Sequence, residues 1–201
     1  MKIGVIGLQG AVSEHLEAVA QAMEALKISG EALWVDSPKA LKTCDGVIIP
    51  GGESTTIGKL MVRTGLFDIV REMGKTGVPI LGTCAGMILL AKRGDVQVEK
   101  TRQPLLGLMD MEVQRNAFGR QRESFEAELD LSSIGIPSFR GVFIRAPAIK
   151  ALWGKARAVA SFQERIVGAI EDNLLALSFH PELAGDTRVH EFFLRMCAGR
   201  K

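Results

Sequence analysis

Val78-Pro-Ile-Leu-Gly82-Thr-Cys84-Ala-Gly86-Met-Ile-Leu-Leu90 reads as a buried strand, a tight turn centred on a cysteine, and the first turns of a helix. A short apolar run that enters G-x-C-x-G and leaves as a second apolar run has the pattern of a nucleophile elbow, with sulfur in place of oxygen. Glycines on either side suit a strained turn that leaves no room for side chains beside the nucleophile. The helix that follows aims its N–H groups and its positive dipole end at Cys84, which favours the thiolate. A small buried hydrophobe is the commonest fate of a free cysteine, but the strand-to-helix setting favours the nucleophile. The stretch predicts a strand over 78–82 and a helix over 85–92, with Gly94 as its stop.

Outward from this segment, Val- and Ile-rich runs at 2–8, 31–36 and 46–50 alternate with helical patterns at 10–27, 54–63 and 66–76. That is the rhythm of βαβ units and a parallel sheet. After about residue 105 the pattern becomes strand upon strand, at 108–113, 125–129, 139–144, 158–162, 167–171 and 174–179. The last two read as a hairpin across Asp172-Asn173, and a helix over 187–197 closes the chain. No linker or low-complexity stretch divides the halves. The expectation is one α/β domain over 1–201 with an antiparallel edge on a mixed, mainly parallel sheet.

Composition agrees with one substantial core: 201 residues, 47% hydrophobic and 24% charged. The 25 basic and 23 acidic residues are dispersed and leave a net charge of +2, without the stripe that nucleic acid requires. Three cysteines (Cys44, Cys84, Cys197) lack C-x-x-C spacing, so neither a disulfide framework nor a metal site is expected. With no signal peptide and no long uncharged apolar run, a soluble cytoplasmic protein without a membrane partner is expected.

A cysteine nucleophile needs a base, and the histidines are His15, His180 and His190. His15 and His190 fall inside amphipathic helices, where a solvated or packed imidazole is the simpler reading. His180-Pro181-Glu182 instead ends a strand, where an open α/β sheet presents functional groups. In extended chain His180 and Glu182 face the same way, so the carboxylate can fix the imidazole tautomer and stabilise its cation. Ile48-Ile-Pro50-Gly51-Gly52-Glu53-Ser54-Thr55 ends another strand, and its glycines let backbone N–H groups approach a substrate oxygen. A phosphate loop fails there: five residues separate Gly52 from Gly58 where four are required, and Leu60 replaces the magnesium-binding hydroxyl. A plain turn with Ser54 or Thr55 capping the next helix is compatible with the oxyanion role.

Together these motifs resemble the class I glutamine amidotransferases, which carry a glycine-flanked cysteine and, far downstream, His-Pro-Glu. More closely, Gly7-Leu-Gln-Gly10, Pro50-Gly-Gly-Glu-Ser-Thr55, Gly82-Thr-Cys-Ala-Gly86, Arg115-Asn-Ala-Phe-Gly-Arg-Gln121, Phe143-Ile-Arg-Ala-Pro147 and His180-Pro-Glu-Leu183 resemble, in order, the glutaminase subunits of pyridoxal 5′-phosphate synthases. Ala117 stands where Ser is common, and 93–103 is slightly longer than usual. The resemblance implies a three-layer, flavodoxin-like α/β sandwich and a Cys84–His180–Glu182 triad. It implies glutamine binding by Gly52, Glu53, Ser54, Arg115, Ile144 and Arg145, with oxyanion N–H groups near Gly52 and Ala85. It implies no cofactor, and a synthase partner that builds the pyridoxal phosphate ring from a pentose phosphate, a triose phosphate and ammonia, with Gln9 in the coupling. The alternatives are a glutaminase for another synthase, such as that of histidine synthesis, a cysteine hydrolase or peptidase on a related fold, and a non-catalytic small-molecule regulator.

Overall fold

The computed structural model describes residues 1–118 and 124–199. Five parallel strands form one half of its large sheet, in the order β2 (Glu31–Val35), β1 (Lys2–Ile6), β3 (Gly46–Ile49), β4 (Ile80–Thr83) and β12 (Leu174–Leu177). The sheet continues through β11 (Arg165–Glu171), β9 (Ala148–Leu152), β6 (Met109–Gln114) and β5 (Ala91–Gly94), with β10 (Arg157–Phe162) branching from β11. Here β12–β11, β11–β9, β9–β6 and β10–β11 are antiparallel, while β5 and β6 run parallel. The expected mixed sheet with an antiparallel edge is therefore present, and β11–β12 is the hairpin across Asp172-Asn173.

Two separate cores lie on the two faces, which makes the fold three-layered. On β1, Ile3 and Val5 face the layer formed by α1 (Val12–Ala25) and α7 (Arg188–Ala198), while Ile6 faces the opposite side. That side is covered by α2 (Pro38–Leu41), α3 (Ser54–Thr64), α4 (Leu66–Lys75) and α5 (Ala85–Leu90). Strands covered on both faces carry continuous apolar runs, which is why β3 and β4 have no exposed position.

The sequence expectation omits α2 and β9, and it fails more seriously in three places. The helix after Cys84 ends at Leu90, and Ala91–Gly94 is a strand paired with β6, so Gly94 ends a strand and stops no helix. Residues 95–100, in the slightly long stretch, form α6 (Val96–Lys100), capped by the Asp95 carboxylate, which accepts from Gln97 N (3.0 Å) and Val98 N (3.1 Å). Finally, β7 (Ser124–Leu131) and β8 (Ile136–Ile144) leave the main sheet and pair only with each other. Leu129, Leu131, Phe139 and Phe143 of this ribbon join the α1/α7 core, so burial and not strand pairing fixes its position.

Candidate active site

The C-terminal ends of β3, β4 and β12 lie side by side, Ile49 opposite Gly82 and Thr83 opposite Leu177. Open α/β sheets gather ligands at this edge. Cys84 is the first residue past β4, in a positive-φ conformation (φ 47°, ψ −98°) that a side chain seldom adopts. The strained turn is held because Cys84 N donates to Leu177 O at 2.7 Å and α5 begins at once. The flanking glycines are required by contact: a Cβ on Gly86 would collide with Ile49 O, and one on Gly82 would press on the Gly86 backbone.

His180 follows β12 and is pinned by its own N–H, which donates to Val142 O of β8 at 2.8 Å. The link to Glu182 is present but its geometry is not extended: Pro181–Leu183 is a single 3₁₀ turn, closed by Leu183 N to His180 O (3.2 Å). The fixed φ of Pro181 favours the first position of such a turn and folds Glu182 back beneath the ring. His180 Nδ1 then lies 2.7 Å from Glu182 Oε1, and the Glu182 side chain is wholly buried. Burial alone would lower the imidazole pKa. Hydrogen bonds to Cys84 and Glu182, and the charges of both, overcome it and push the pKa up to about 10. Gly51 lies so close that a Cβ there would strike the His180 ring.

At the end of β3, Gly52 has φ 154° and Gly51 O accepts from Ala11 N at 3.1 Å. Gln9 is fixed as well, its Oε1 accepting from Glu53 N at 2.9 Å. The cap of α3 is Glu53, where Ser54 or Thr55 was expected: its carboxylate accepts from Thr55 N (3.1 Å) and Thr56 N (2.7 Å). Desolvation would raise the Glu53 pKa, but the hydrogen bonds from Thr56 and Thr55 outweigh it and bring the pKa down to about 2. Arg115 completes this cluster, with Nη2 3.1 Å from Glu53 Oε1 and Nη1 3.2 Å from Thr55 Oγ1.

Gly52, Glu53, Ser54, Cys84, Ala85, Arg115, Ile144, Arg145 and His180 all line one cleft of about 390 Å³. Glu182 lies behind His180 and Gln9 beside the glycine turn, outside that lining. Ile88, Asn116 and Pro147 also line the cleft and were missed, although Asn116 and Pro147 belong to quoted motifs. Gln103 was missed too: its buried Oε1 accepts from Ser54 Oγ (3.0 Å) and Thr55 Oγ1 (3.2 Å). The end of the central motif, Gly119-Arg120-Gln121, lies outside the described residues.

His15 and His190 are packed, as the simpler reading held, but they pack beneath the site. His15 Nε2 is 3.3 Å from Glu182 Oε2 and 3.0 Å from Thr83 Oγ1, and its Nδ1 is 3.1 Å from His190 Nε2. A signal was present: each imidazole interrupts the buried stripe of its helix, between Val12 and Val19 in α1 and beside Val189 and Phe193 in α7. A polar group in such a stripe needs a buried partner.

The fold matches solved glutamine amidotransferases. One crystal structure of a glutamine amidotransferase superposes with a TM-score of 0.87 over 98% of both chains at 43% identity. Another, from Thermotoga maritima, shares the fold at 16% identity with a TM-score of 0.62, covering 100% of this chain and 97% of that one. The class is thus an α/β glutamine amidotransferase. Within it, the chain belongs to the SNO glutamine amidotransferase family, whose model matches residues 5–199. Curated relatives named "Pyridoxal 5'-phosphate synthase subunit PdxT" include those of Saccharolobus solfataricus (52% identical, covering 99% of this chain and 100% of the relative) and Methanosarcina barkeri (51%, covering 96% of each). Among the described residues no helix is long and apolar enough to cross a membrane.

Proposed function

We propose that the chain, acting as one cytoplasmic domain, hydrolyses L-glutamine to L-glutamate and ammonia through Cys84, His180 and Glu182. Its ammonia passes to a synthase subunit that makes pyridoxal 5′-phosphate, the assembly that the relatives' name describes. The observation that carries the catalytic reading is the single cleft shared by Cys84, His180, Gly52, Ala85 and Arg115.

In this mechanism the Cys84 thiolate attacks the side-chain amide carbon of glutamine, and N–H groups at Gly52 and Ala85 hold the oxyanion. Ala85 opens α5, so its N–H has no partner within the helix. His180, kept protonated by Cys84 and Glu182, gives its proton to the departing ammonia and leaves a glutamyl thioester. The neutral imidazole then takes a proton from water, whose oxygen attacks the thioester carbon and releases glutamate and the thiolate. Arg115 suits the substrate α-carboxylate, with Ser54, Ile144 and Arg145 around the remainder of the molecule. The Glu53 carboxylate acts chiefly by capping α3 and aiming Arg115.

The test is glutamate release measured with and without the pyridoxal phosphate synthase subunit, alongside incorporation of the amide nitrogen into pyridoxal phosphate. Turnover of glutamine and transfer of its nitrogen are expected. Turnover without transfer would assign the chain to another acceptor, and no turnover at all would leave a binding protein.

A further inference from the structure

The buried side of the triad ends in two histidines that the proposed mechanism does not use. Glu182 has both oxygens out of solvent. One is satisfied by His180 at 2.7 Å, while the other, Oε2, has no aligned donor among the described residues and faces His15 Nε2 at 3.3 Å. A buried carboxylate oxygen without a donor weakens the charged form that an imidazolium neighbour needs. His15 is positioned from three sides: Thr83 at the end of β4, His190 on α7 and Glu182 on the 3₁₀ turn.

We propose that His15 is a positioning residue of the glutaminase: its Nε2–H, donated to Thr83 Oγ1, brings a positive dipole end within 3.3 Å of Glu182 Oε2 and so holds Glu182 in the charged, correctly aimed state, and His190 selects the His15 tautomer that makes this possible. The inference rests on the triad reading above.

Tautomer counting supports this orientation. An ionised carboxylate only accepts, so a donor must sit on His15 Nε2. His15 is neutral, because burial, reinforced by the neighbouring His190 and His180, pushes its pKa well below the usual value. A neutral ring has one N–H, so Nδ1 must accept from His190 Nε2–H. His190, which burial brings down to about 4, is then also neutral, with a bare Nδ1. Nδ1 of His190 is the atom that lacks a partner in the structure. The opposite tautomers would aim a lone pair at the carboxylate and strand a buried N–H on His190, which is the worse arrangement on both counts. The N–H dipoles of His190 and His15 therefore both point toward Glu182. Since the groups facing His15 are Thr83, His190, Glu182 and, one step further, His180, no other charge among the described residues competes for it.

A pair of amides separates positioning from mere packing. His15→Gln places an amide nitrogen near the Nε2 position, whereas His15→Asn is shorter and reaches only as far as Nδ1. With the synthase subunit saturating, His15→Asn is expected to lower kcat by about 10- to 100-fold, the scale seen when an outer partner of a liganding histidine is lost. KM should change less than about twofold. The pH profile of Cys84 alkylation by iodoacetamide should move to higher pH, since a weakened Glu182 stabilises the His180 cation less. His15→Gln should recover most of kcat and the original profile. If His15→Asn fails to fold, His190→Asn has the same expected signature at smaller amplitude. The proposal is overturned if a folded His15→Asn, or His190→Asn in its place, keeps the original kcat and alkylation profile. It is equally overturned if His15→Gln and His15→Asn lose activity alike, with unchanged profiles and a lowered Tm. Glutamine turnover by Cys84→Ala would instead remove the triad itself, whatever His15 does.

Discussion

The floor and the roof of the cleft are built differently. The floor is three aligned ends of parallel strands, β3, β4 and β12, enclosed by helices on both faces and without an exposed residue. It supplies Cys84, His180 and the Gly51-Gly52 turn. The roof comes from the antiparallel half: Arg115 and Asn116 after β6, and Ile144, Arg145 and Pro147 at the end of the β7–β8 ribbon. Phenylalanines hold the ribbon down, Phe125 stacking on Phe143 (4.7 Å between centroids) and Phe118 meeting Phe125 edge-on (5.2 Å). Both regions carry positive-φ backbone, at Cys84 (φ 47°) in the floor and at Asn116 (50°) and Arg145 (45°) in the roof. In the proposed mechanism bond making belongs to the floor and recognition to the roof, and kinetics can separate the two.

The largest expected effect is in the floor. Cys84→Ala removes the attacking atom while emptying little buried volume, so kcat should fall by roughly 10³-fold or more with the thermal midpoint nearly unchanged. Activity retained by a folded variant would dissolve the distinction, since Cys84 is the one thiol among the described residues that line the cleft.

Glu182→Gln comes next: kcat should fall by about 10²- to 10⁴-fold, with KM little altered, because the imidazole loses both its tautomer and its counter-charge. A rise in KM alone would move Glu182 into the recognition half. The same variant makes a stability prediction with a definite sign. The folded-state pKa of His180 is raised from 6.5 to about 10. The protonated ring therefore contributes stability that is complete below pH 6.5 and lost as pH rises through about 10. Wild type should lose more stability than Glu182→Gln between those limits in pH-dependent unfolding. Cys44, whose buried thiol pKa is raised, also disfavours the fold at alkaline pH, but equally in both proteins, so it cancels.

The floor was legible in the sequence and the roof much less so, for a physical reason. The elbow, the strand before it and the glycine turn each follow from local rules of backbone strain and close approach, and each recurs within about ten residues of chain. Arg115, Ile144 and Arg145 carry no such local mark. Only their resemblance to family motifs singled them out, because an antiparallel ribbon can pack in several ways. Where the expected helix overruns into Ala91 and Lys92 of β5, Ala85–Leu90 is buried on every side, and an all-round apolar run has no period to mark its end. His180 and Glu182 were paired for the wrong reason: a 3₁₀ turn, not extended chain, brings them together. The buried His15–His190 contact joins α1 to α7 across 175 residues, a separation that helical periodicity does not address.

In the roof, Arg115→Ala should act mainly through KM. A charged hydrogen-bonding contact is worth about 1.5–3 kcal/mol, or roughly 10- to 100-fold in kcat/KM. Glu53 retains its cap contacts with Thr55 and Thr56, so α3 should remain in place and the thermal midpoint should move little. A loss confined to kcat would mean that Arg115 orients the reacting amide and that recognition lies elsewhere.

The smallest effect tests whether the floor is complete before the partner arrives. The Gly51 carbonyl is held by Ala11 N–H, and because a peptide's C=O and N–H point in opposite directions, that bond also sets where Gly52 N–H is aimed. Gln9 is tied to the next residue through Glu53 N–H, so a partner touching Gln9 has a short path to the same peptide. Gly52, at φ 154°, can adopt either orientation without a side-chain penalty. If docking of the synthase selects the orientation that faces the oxyanion, activity should rise across a synthase titration. A tenfold gain needs only about 1.4 kcal/mol of preference for the competent state. Gln9→Ala should reduce that gain while leaving the basal rate of the isolated subunit close to wild type. A kcat/KM that is identical alone and at saturation would mean that the oxyanion hole is preformed, and the floor would then owe nothing to the partner.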